Sequence, residues 1–202
     1  MKVAVLCEIF GRVRDAFLER GHSAYSLDLE PTENPGPHLQ ADVMEHLLSL
    51  PDGGLDLIIM HPPCTALANS GNATYGEWKP KFAERQAAAT WTADLWRIAQ
   101  QKAHAVCLEN PRGVLPSLGG LRKAQYIQPW QFGHPIQKET GLFLHNLPHL
   151  RPTRNVYAAM MAQPAHKRKE LSNMPPGDDR AKWRSQTFTG IARAMAEQWG
   201  SL

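Results

Sequence analysis

Short apolar runs alternate with helix-periodic segments from the first residues of this chain, and that alternation confines it to folds in which helices cover a largely parallel sheet. Val3 to Leu6 read as a strand, Val13 to Arg20 as a helix stopped at Gly21, and Ser23 to Leu27 as a second strand running into Asp28. After the Pro/Gly-rich stretch 31–37, the pattern predicts a helix from about Leu39 to Leu50, broken by Pro51-Asp52-Gly53-Gly54, and then a strand at Leu55 to Met60. A polar loop, Ala66 to Lys79, contains the turn-favouring run Asn69-Ser70-Gly71-Asn72 and suits closure over a ligand. The longest helical signal covers about Lys81 to Lys102, with Phe82, Trp91, Leu95 and Ile98 near one face; a strand at Ala105 to Leu108 follows and ends at Glu109-Asn110-Pro111. Tyr126-Ile127 and Leu142 to Leu144 are further strand candidates, and Phe188 to Trp199 carries Ile191, Ala192, Met195 and Trp199 at helical spacing. The expected class is α/β with a mostly parallel central sheet.

The 202 residues, 43% of them hydrophobic, suffice for one core, so a single domain over 1–202 is expected. Residues 145–186 are the least regular and most basic, and read either as a small substrate-recognition lobe or as long loops. The formal charge is only +3, but Arg151, Arg154, His166, Lys167, Arg168, Lys169, Arg180, Lys182, Arg184 and Arg193 gather in the last third, which suits a polyanionic partner as well as a solvated basic surface. Three cysteines, Cys7, Cys64 and Cys107, form no close pair, and no apolar run approaches a membrane span. Met1 to Leu6 is too short for a signal segment, so a soluble, cytoplasmic protein is the expectation.

The strand at Leu55 to Met60 runs into His61-Pro62-Pro63-Cys64. Two prolines fix φ and remove two ladder donors, which stops the strand and holds a thiol at its end. In an open α/β sheet, ligands gather beyond the carboxyl ends of the strands, so Cys64 is placed as a nucleophile rather than as a small buried hydrophobe. Glu109, at the end of a neighbouring strand, would share that crevice. A thiolate that attacks an electron-poor ring carbon and a carboxyl that serves the adjacent ring nitrogen form a working pair. Asp28 follows the second strand, where a carboxylate accepts ribose hydroxyls of nucleoside cofactors. Asp42-Val43 suit an adenine contact, although Asp42 equally suits a helix start. His61 stands three residues before the thiol and suits either its activation or a strand-end hydrogen bond. With no second Cys/His cluster, a metal site is not expected, and Cys107 is expected to point into the core.

Taken in order, Asp28, Pro62-Pro63-Cys64, Glu109-Asn110, the stretch Phe132-Gly133-His134-Pro135-Ile136-Gln137-Lys138-Glu139-Thr140 and the final helix resemble the cytosine-C5 DNA methyltransferase family, in particular its compact phage-encoded members. The resemblance implies a Rossmann-like methyltransferase fold with a short basic C-terminal recognition region, S-adenosylmethionine as cofactor, and DNA as substrate in a bacterial or phage-infected cytoplasm. It assigns the chemistry to Cys64, Glu109, Asn110 and Lys138, and the cofactor to Glu8, Phe10, Gly11, Asp28, Leu29, Asp42, Val43, Pro62 and Thr189. Substrate contacts fall to Thr140, Arg180, Lys182 and Arg184. Departures are visible: of the family's Phe-x-Gly-x-Gly loop only Gly11 remains, within Cys7-Glu8-Ile9-Phe10-Gly11-Arg12, so either Glu8 and Arg12 grip the methionine end by side chains or the cofactor differs. Lys138 and Thr140 stand where the family has two arginines, and a lysine lacks the bidentate fork. The small recognition region keeps two alternatives open: the same chemistry on single-stranded DNA or a free deoxycytidine nucleotide, and a nucleic-acid-binding homologue without catalysis.

Overall fold

The computed structural model describes residues 1–175 and 180–201. Seven strands form one sheet among these residues: β1 Lys2–Leu6, β2 Ser23–Asp28, β3 His38–Gln40, β4 Leu55–Met60, β5 Ala103–Asn110, β6 Gln125–Ile127 and β7 Thr140–His145. Their order is β3-β2-β1-β4-β5-β7-β6. The first five run parallel, while β7 lies antiparallel to both β5 and β6. Helices cover both faces, so the central strands are apolar on both sides and read as continuous hydrophobic runs. Val3, Val5, Leu57 and Ile59 pack with Val13 and Phe17 of α1 (Arg12–Leu18) and with Ile191, Met195 and Trp199 of the C-terminal helix on one face. Ala4, Leu6, Ile58 and Met60 pack with Leu47 of α2 (Val43–Ser49) on the other face. Past the short α3 (Asn72–Tyr75), Leu95 and Ile98 of α4 (Phe82–Lys102) join that second layer.

From β1 the chain winds outward to β2 and β3, and from β4 it winds the other way to β5. The topological switch therefore lies between β1 and β4, where an open sheet leaves a crevice beyond its carboxyl ends.

Two expectations are corrected by this arrangement, and one element without a sequence signal is added. The helix predicted from Leu39 starts at Val43, because His38–Gln40 pair with Ser26–Asp28 as β3 and Asp42 caps the helix. The cap is explicit: Asp42 Oδ1 accepts the Met44 and Glu45 N–H groups at 2.8 and 3.0 Å. Glu109 and Asn110 do not follow β5 but are its last two residues, paired with Leu142 and Gly141 of β7, and Pro111 ends the strand. Between β5 and β6 lies a short helix that the sequence pattern does not signal, α5 (Leu115–Leu118).

In the segment 145–186, four short helices appear among the described residues: α6 (Tyr157–Met161), α7 (Ala165–Arg168), α8 (Glu170–Asn173) and α9 (Arg180–Ser185). Residues 176–179 of that segment lie outside the described residues. Its first part is anchored to the turn after β6, where Tyr157 meets Trp130 edge to face at 5.0 Å and Arg154 N donates to Gln131 O at 3.0 Å. The chain closes with α10 (Thr189–Trp199), whose Trp199 is buried and donates its indole N–H to Pro148 O at 3.1 Å. No helix among the described residues is long and apolar enough to cross a membrane.

Candidate active site at the carboxyl ends of the strands

The β4–β5 register pairs Met60 with Leu108, so the residues that follow, His61 and Glu109, come side by side. His61 continues the sheet by donating its backbone N–H to Leu6 O at 3.0 Å. Its ring Nδ1 lies 2.7 Å from Glu109 Oε2, with the side chains only 6% and 11% exposed. Beyond it, Pro62 is buried and Asn110 Nδ2 donates to its carbonyl at 3.3 Å, so the Asn of the Glu-Asn pair holds the Pro-Pro-Cys corner. The carbonyl of Cys64 then accepts from Leu67 N and Ala68 N at 3.0 and 2.9 Å, starting a tight turn immediately after the thiol.

The electrostatics follow from burial and from three charges. Burial alone would raise the Glu109 carboxyl, but the His61 hydrogen bond and the positive charge of Lys138 outweigh it and hold the group below its ordinary value. The Cys64 thiol is raised by burial and by the Glu109 charge, against the lowering pull of Lys138 and Arg184. Lys138 therefore acts on thiol and carboxyl together. Its Nζ is steered by a bond to Gln186 O at 3.2 Å and lies 5.9 Å from the centre of the Phe188 ring. Two buried polar atoms at this corner, His61 Nε2 and Asn110 Oδ1, have no hydrogen-bond partner among the described residues.

Beyond β1 and β2 lies the second half of the crevice. Cys7 turns the chain at the end of β1 with φ of 58°, a conformation that costs a non-glycine residue and clusters at functional sites. Burial, with smaller contributions from the Asp28 and Asp42 charges, pushes the Cys7 thiol up to about 12. Asp28 Oδ1 accepts from Glu30 N at 3.1 Å, and the next residue, Leu29, leaves its apolar side chain 66% exposed. Phe10 is buried and meets the Trp183 ring at 6.0 Å.

Several assigned residues are occupied elsewhere. Glu8 does not reach into the crevice: its carboxylate is buried and accepts Val13 N and Arg14 N at 2.7 and 3.3 Å, capping α1. The side chain of Val43 packs into the core beside Leu27 and Leu47. Asp42 spends Oδ1 on the cap described above. Thr140 is buried on β7 and donates Oγ1–H to Lys138 O at 3.2 Å, so its hydroxyl is spent on that carbonyl. Thr189 is exposed at the start of α10, with Oγ1 3.4 Å from His134 Nε2. Cys107 points into the core, as expected.

Two buried arginines that the sequence pattern leaves unremarked hold the loops that follow β2 and β4. Arg14 is fully buried, bonding Asp15 Oδ1 at 2.7 Å, Ser26 Oγ at 3.1 Å and the carbonyls of Asn34 and Pro35 at 3.1 and 3.3 Å. Gly11, at φ 63°, makes room for this guanidinium: a Cβ there would run into it, as would one on Gly36. Gly11 thus admits Arg14. On the other side, buried Arg85 donates to Ala66 O, Ala68 O and Asn72 Oδ1 at 2.6, 3.1 and 2.8 Å, pinning the start of the loop expected to close over a ligand. No local periodicity marks either arginine; only tertiary placement does.

From the C-terminal region, α9 lies across both halves of the crevice. Trp183 packs on Phe10, Lys182 pairs with Glu33, and Arg184 acts electrostatically on Cys64, while Arg180 at the start of α9 is partly buried. Arg180, Lys182 and Arg184 are expected from sequence as substrate contacts; Trp183 is not, and a tryptophan set among three basic residues is the signal in the sequence that marks it.

No known family profile matches the chain, and no curated protein does. Among solved structures, similarity is found to an E. coli prophage-encoded protein provisionally assigned as a DNA modification methyltransferase, at 13% identity and TM-score 0.48, covering 82% of this chain and 56% of that one. The bifunctional kinase-methyltransferase WbdD is similar at 16% identity and TM-score 0.43, covering 83% of this chain and 41% of that one. DNMT2 from Spodoptera frugiperda, solved as a variant, is similar at 15% identity and TM-score 0.40, covering 77% and 54%. The chain spans about half the length of the structures it matches.

Proposed function

We propose that this protein transfers a methyl group from S-adenosylmethionine to C5 of cytosine in DNA through a covalent adduct at Cys64. The observation that carries this reading is the joint placement of Cys64 and Glu109 at the ends of neighbouring parallel strands, with Lys138 acting on both. That set suits addition of sulfur to C6 of a pyrimidine while the carboxyl manages the proton at N3. Lys138 supplies positive charge where the ring accumulates negative charge.

The crevice beyond β1 and β2 fits the adenosyl half of the cofactor. Asp28 offers a carboxylate for ribose hydroxyls, and exposed Leu29 offers an apolar platform beside it. The methionine end has no carboxylate from Glu8 to use, which leaves Arg12 as the charged side chain of that loop not spent on capping α1. When bound, S-adenosylmethionine would supply an electrophilic methyl group. The protein's own part is to orient the base, to hold Cys64 close to it and to relay a proton through Glu109. A cytosine in a duplex must leave the stack to reach a thiol held at a strand end.

DNA in which the target cytosine carries fluorine at C5 tests the adduct, because fluorine blocks the loss of the C5 proton that releases the thiol. Wild-type protein with cofactor should form a complex stable to denaturing electrophoresis, linked at Cys64 by peptide mapping. Cys64→Ala should form none; a complex that survives this substitution overturns the reading. Offering fluorinated deoxycytidine monophosphate in parallel separates a polymer substrate from a nucleotide.

A further inference from the structure

We propose that His61 is a positioning residue for Glu109, fixing Oε2 with its Nδ1–H so that Oε1 alone relays the proton between the Cys64 thiol and N3 of the substrate ring. This rests on the function proposed above.

The geometry supports it in three ways. His61 is tied to the sheet through its backbone N–H to Leu6 O at 3.0 Å, so its ring has a fixed origin. The ring is almost wholly buried, and its one side-chain hydrogen bond among the described residues is the 2.7 Å contact with Glu109; Nε2 has none. A buried imidazole with a single partner is placed there for that partner, because burying a polar ring otherwise costs stability. Glu109 in turn has Oε2 occupied, while Oε1 makes no hydrogen bond among the described residues and is absent from the fully enclosed unpaired atoms. Oε1 is therefore the oxygen free to meet a ligand.

The step balances without any further reactant. The Cys64 S–H proton passes to Oε1, the S–C6 bond forms, the C5=C6 π pair moves to C4=C5, and the C4=N3 pair goes onto N3, which takes the proton from Oε1. Nothing is oxidised or reduced, and Glu109 ends as the carboxylate it began as. His61 keeps its Nδ1 proton throughout and holds the carboxylate in one orientation. The charged and titratable groups around the pair are Glu8 from the end of β1, Cys64 beyond β4, Cys107 on β5, Lys138 ahead of β7 and, acting on Cys64, Arg184 of α9.

Two substitutions separate positioning from packing. His61→Asn keeps an N–H donor where Nδ1 stood, and His61→Leu removes it. With both variants shown to be folded by thermal melting, His61→Leu should lose roughly 100-fold in kcat with KM for DNA changed by less than about 3-fold, whereas His61→Asn should recover most of that loss. In ligand-free protein carrying 13C at glutamate carboxyls, the Glu109 signal should titrate at higher pH in His61→Leu and return toward the wild-type value in His61→Asn. Unchanged kcat in His61→Leu, or a Glu109 titration that the substitution does not move, overturns the proposal. So does a His61→Asn protein that is folded yet no better than His61→Leu. The functional reading fails separately, if wild-type protein methylates no cytosine; the Glu109 titration needs no substrate and still decides the role of His61.

Discussion

Cys64 sits in an environment that keeps it a thiol. Burial and the Glu109 carboxylate raise it, and Lys138 and Arg184 only partly offset them. Alkylation of Cys64 by iodoacetamide, followed by mass spectrometry of the labelled peptide, should therefore be slow at neutral pH and rise only above the ordinary thiol value of 9.0. Lys138→Met should push that rise further up the pH scale. Glu109 has the opposite sign. Its folded-state value lies below the ordinary 4.5, so its contribution to stability is full above 4.5 and is lost as pH falls through the lower folded value. In urea denaturation, the difference between wild type and Glu109→Gln should accordingly shrink as pH is lowered below that point. Cys64 and Glu109 were legible in the chain because each closes an apolar run at a proline-marked boundary. For His61 the sequence leaves open thiol activation and a strand-end hydrogen bond; the β4–β5 register turns its ring to Glu109, which matches the second and names a partner that no local pattern shows.

At the level of elements, two buried arginines decide how the loops around the crevice are held. Arg14 gathers the stretch 31–37 against α1 and the end of β2, and Arg85 gathers the turn after Cys64 against α4. Arg14→Leu removes a donor from the Ser26 hydroxyl and the Asn34 carbonyl, which keep His38 and Thr32 as partners, and leaves the Pro35 carbonyl without one; it should cost about 3 kcal/mol in chemical denaturation, of the order found when one member of a buried polar cluster is removed. Gly11→Ala should destabilise through both its positive φ and the collision with the guanidinium, and should cost measurably less in an Arg14→Ala background, where the collision is gone. Asp42→Ala, which removes the α2 cap, should cost about 1 kcal/mol. The β1, β2 and β4 strands and the long helix α4 were legible from local apolar pattern alone. The start of α2 was misjudged because Leu39, Val43 and Leu47 share a helical spacing, and the pairing of His38–Gln40 with β2 has no local signature. Asp42 carried the correction within the sequence as a cap residue.

On the scale of the whole molecule, the sheet brings the ends of β1, β4 and β5 to one crevice, and the basic helix α9 lies over it. A polyanion entering there would displace counterions, so binding of DNA should weaken steeply with salt; Arg184→Ala should lower the slope of log K against log salt by about 1 if Arg184 meets a phosphate. Fluorescence anisotropy across a salt series measures this. The alternation of elements made the doubly wound sheet legible, whereas the antiparallel insertion of β7 between β5 and β6 depends on pairings between distant residues such as Cys107 with Leu144. Segment 145–186 was legible only as irregular and basic: its helices are four to six residues long, too short for a periodic pattern to show. Its value to the site comes from tertiary contact, as Trp183 on Phe10 shows. The central claim is cytosine-C5 methylation through Cys64, and mass spectrometry of nucleosides digested from DNA incubated with protein and S-adenosylmethionine tests it most directly. The expected result is 5-methyldeoxycytidine with wild-type protein and none with Cys64→Ala; absence of that nucleoside with folded wild-type protein, or its undiminished formation by Cys64→Ala, would contradict it.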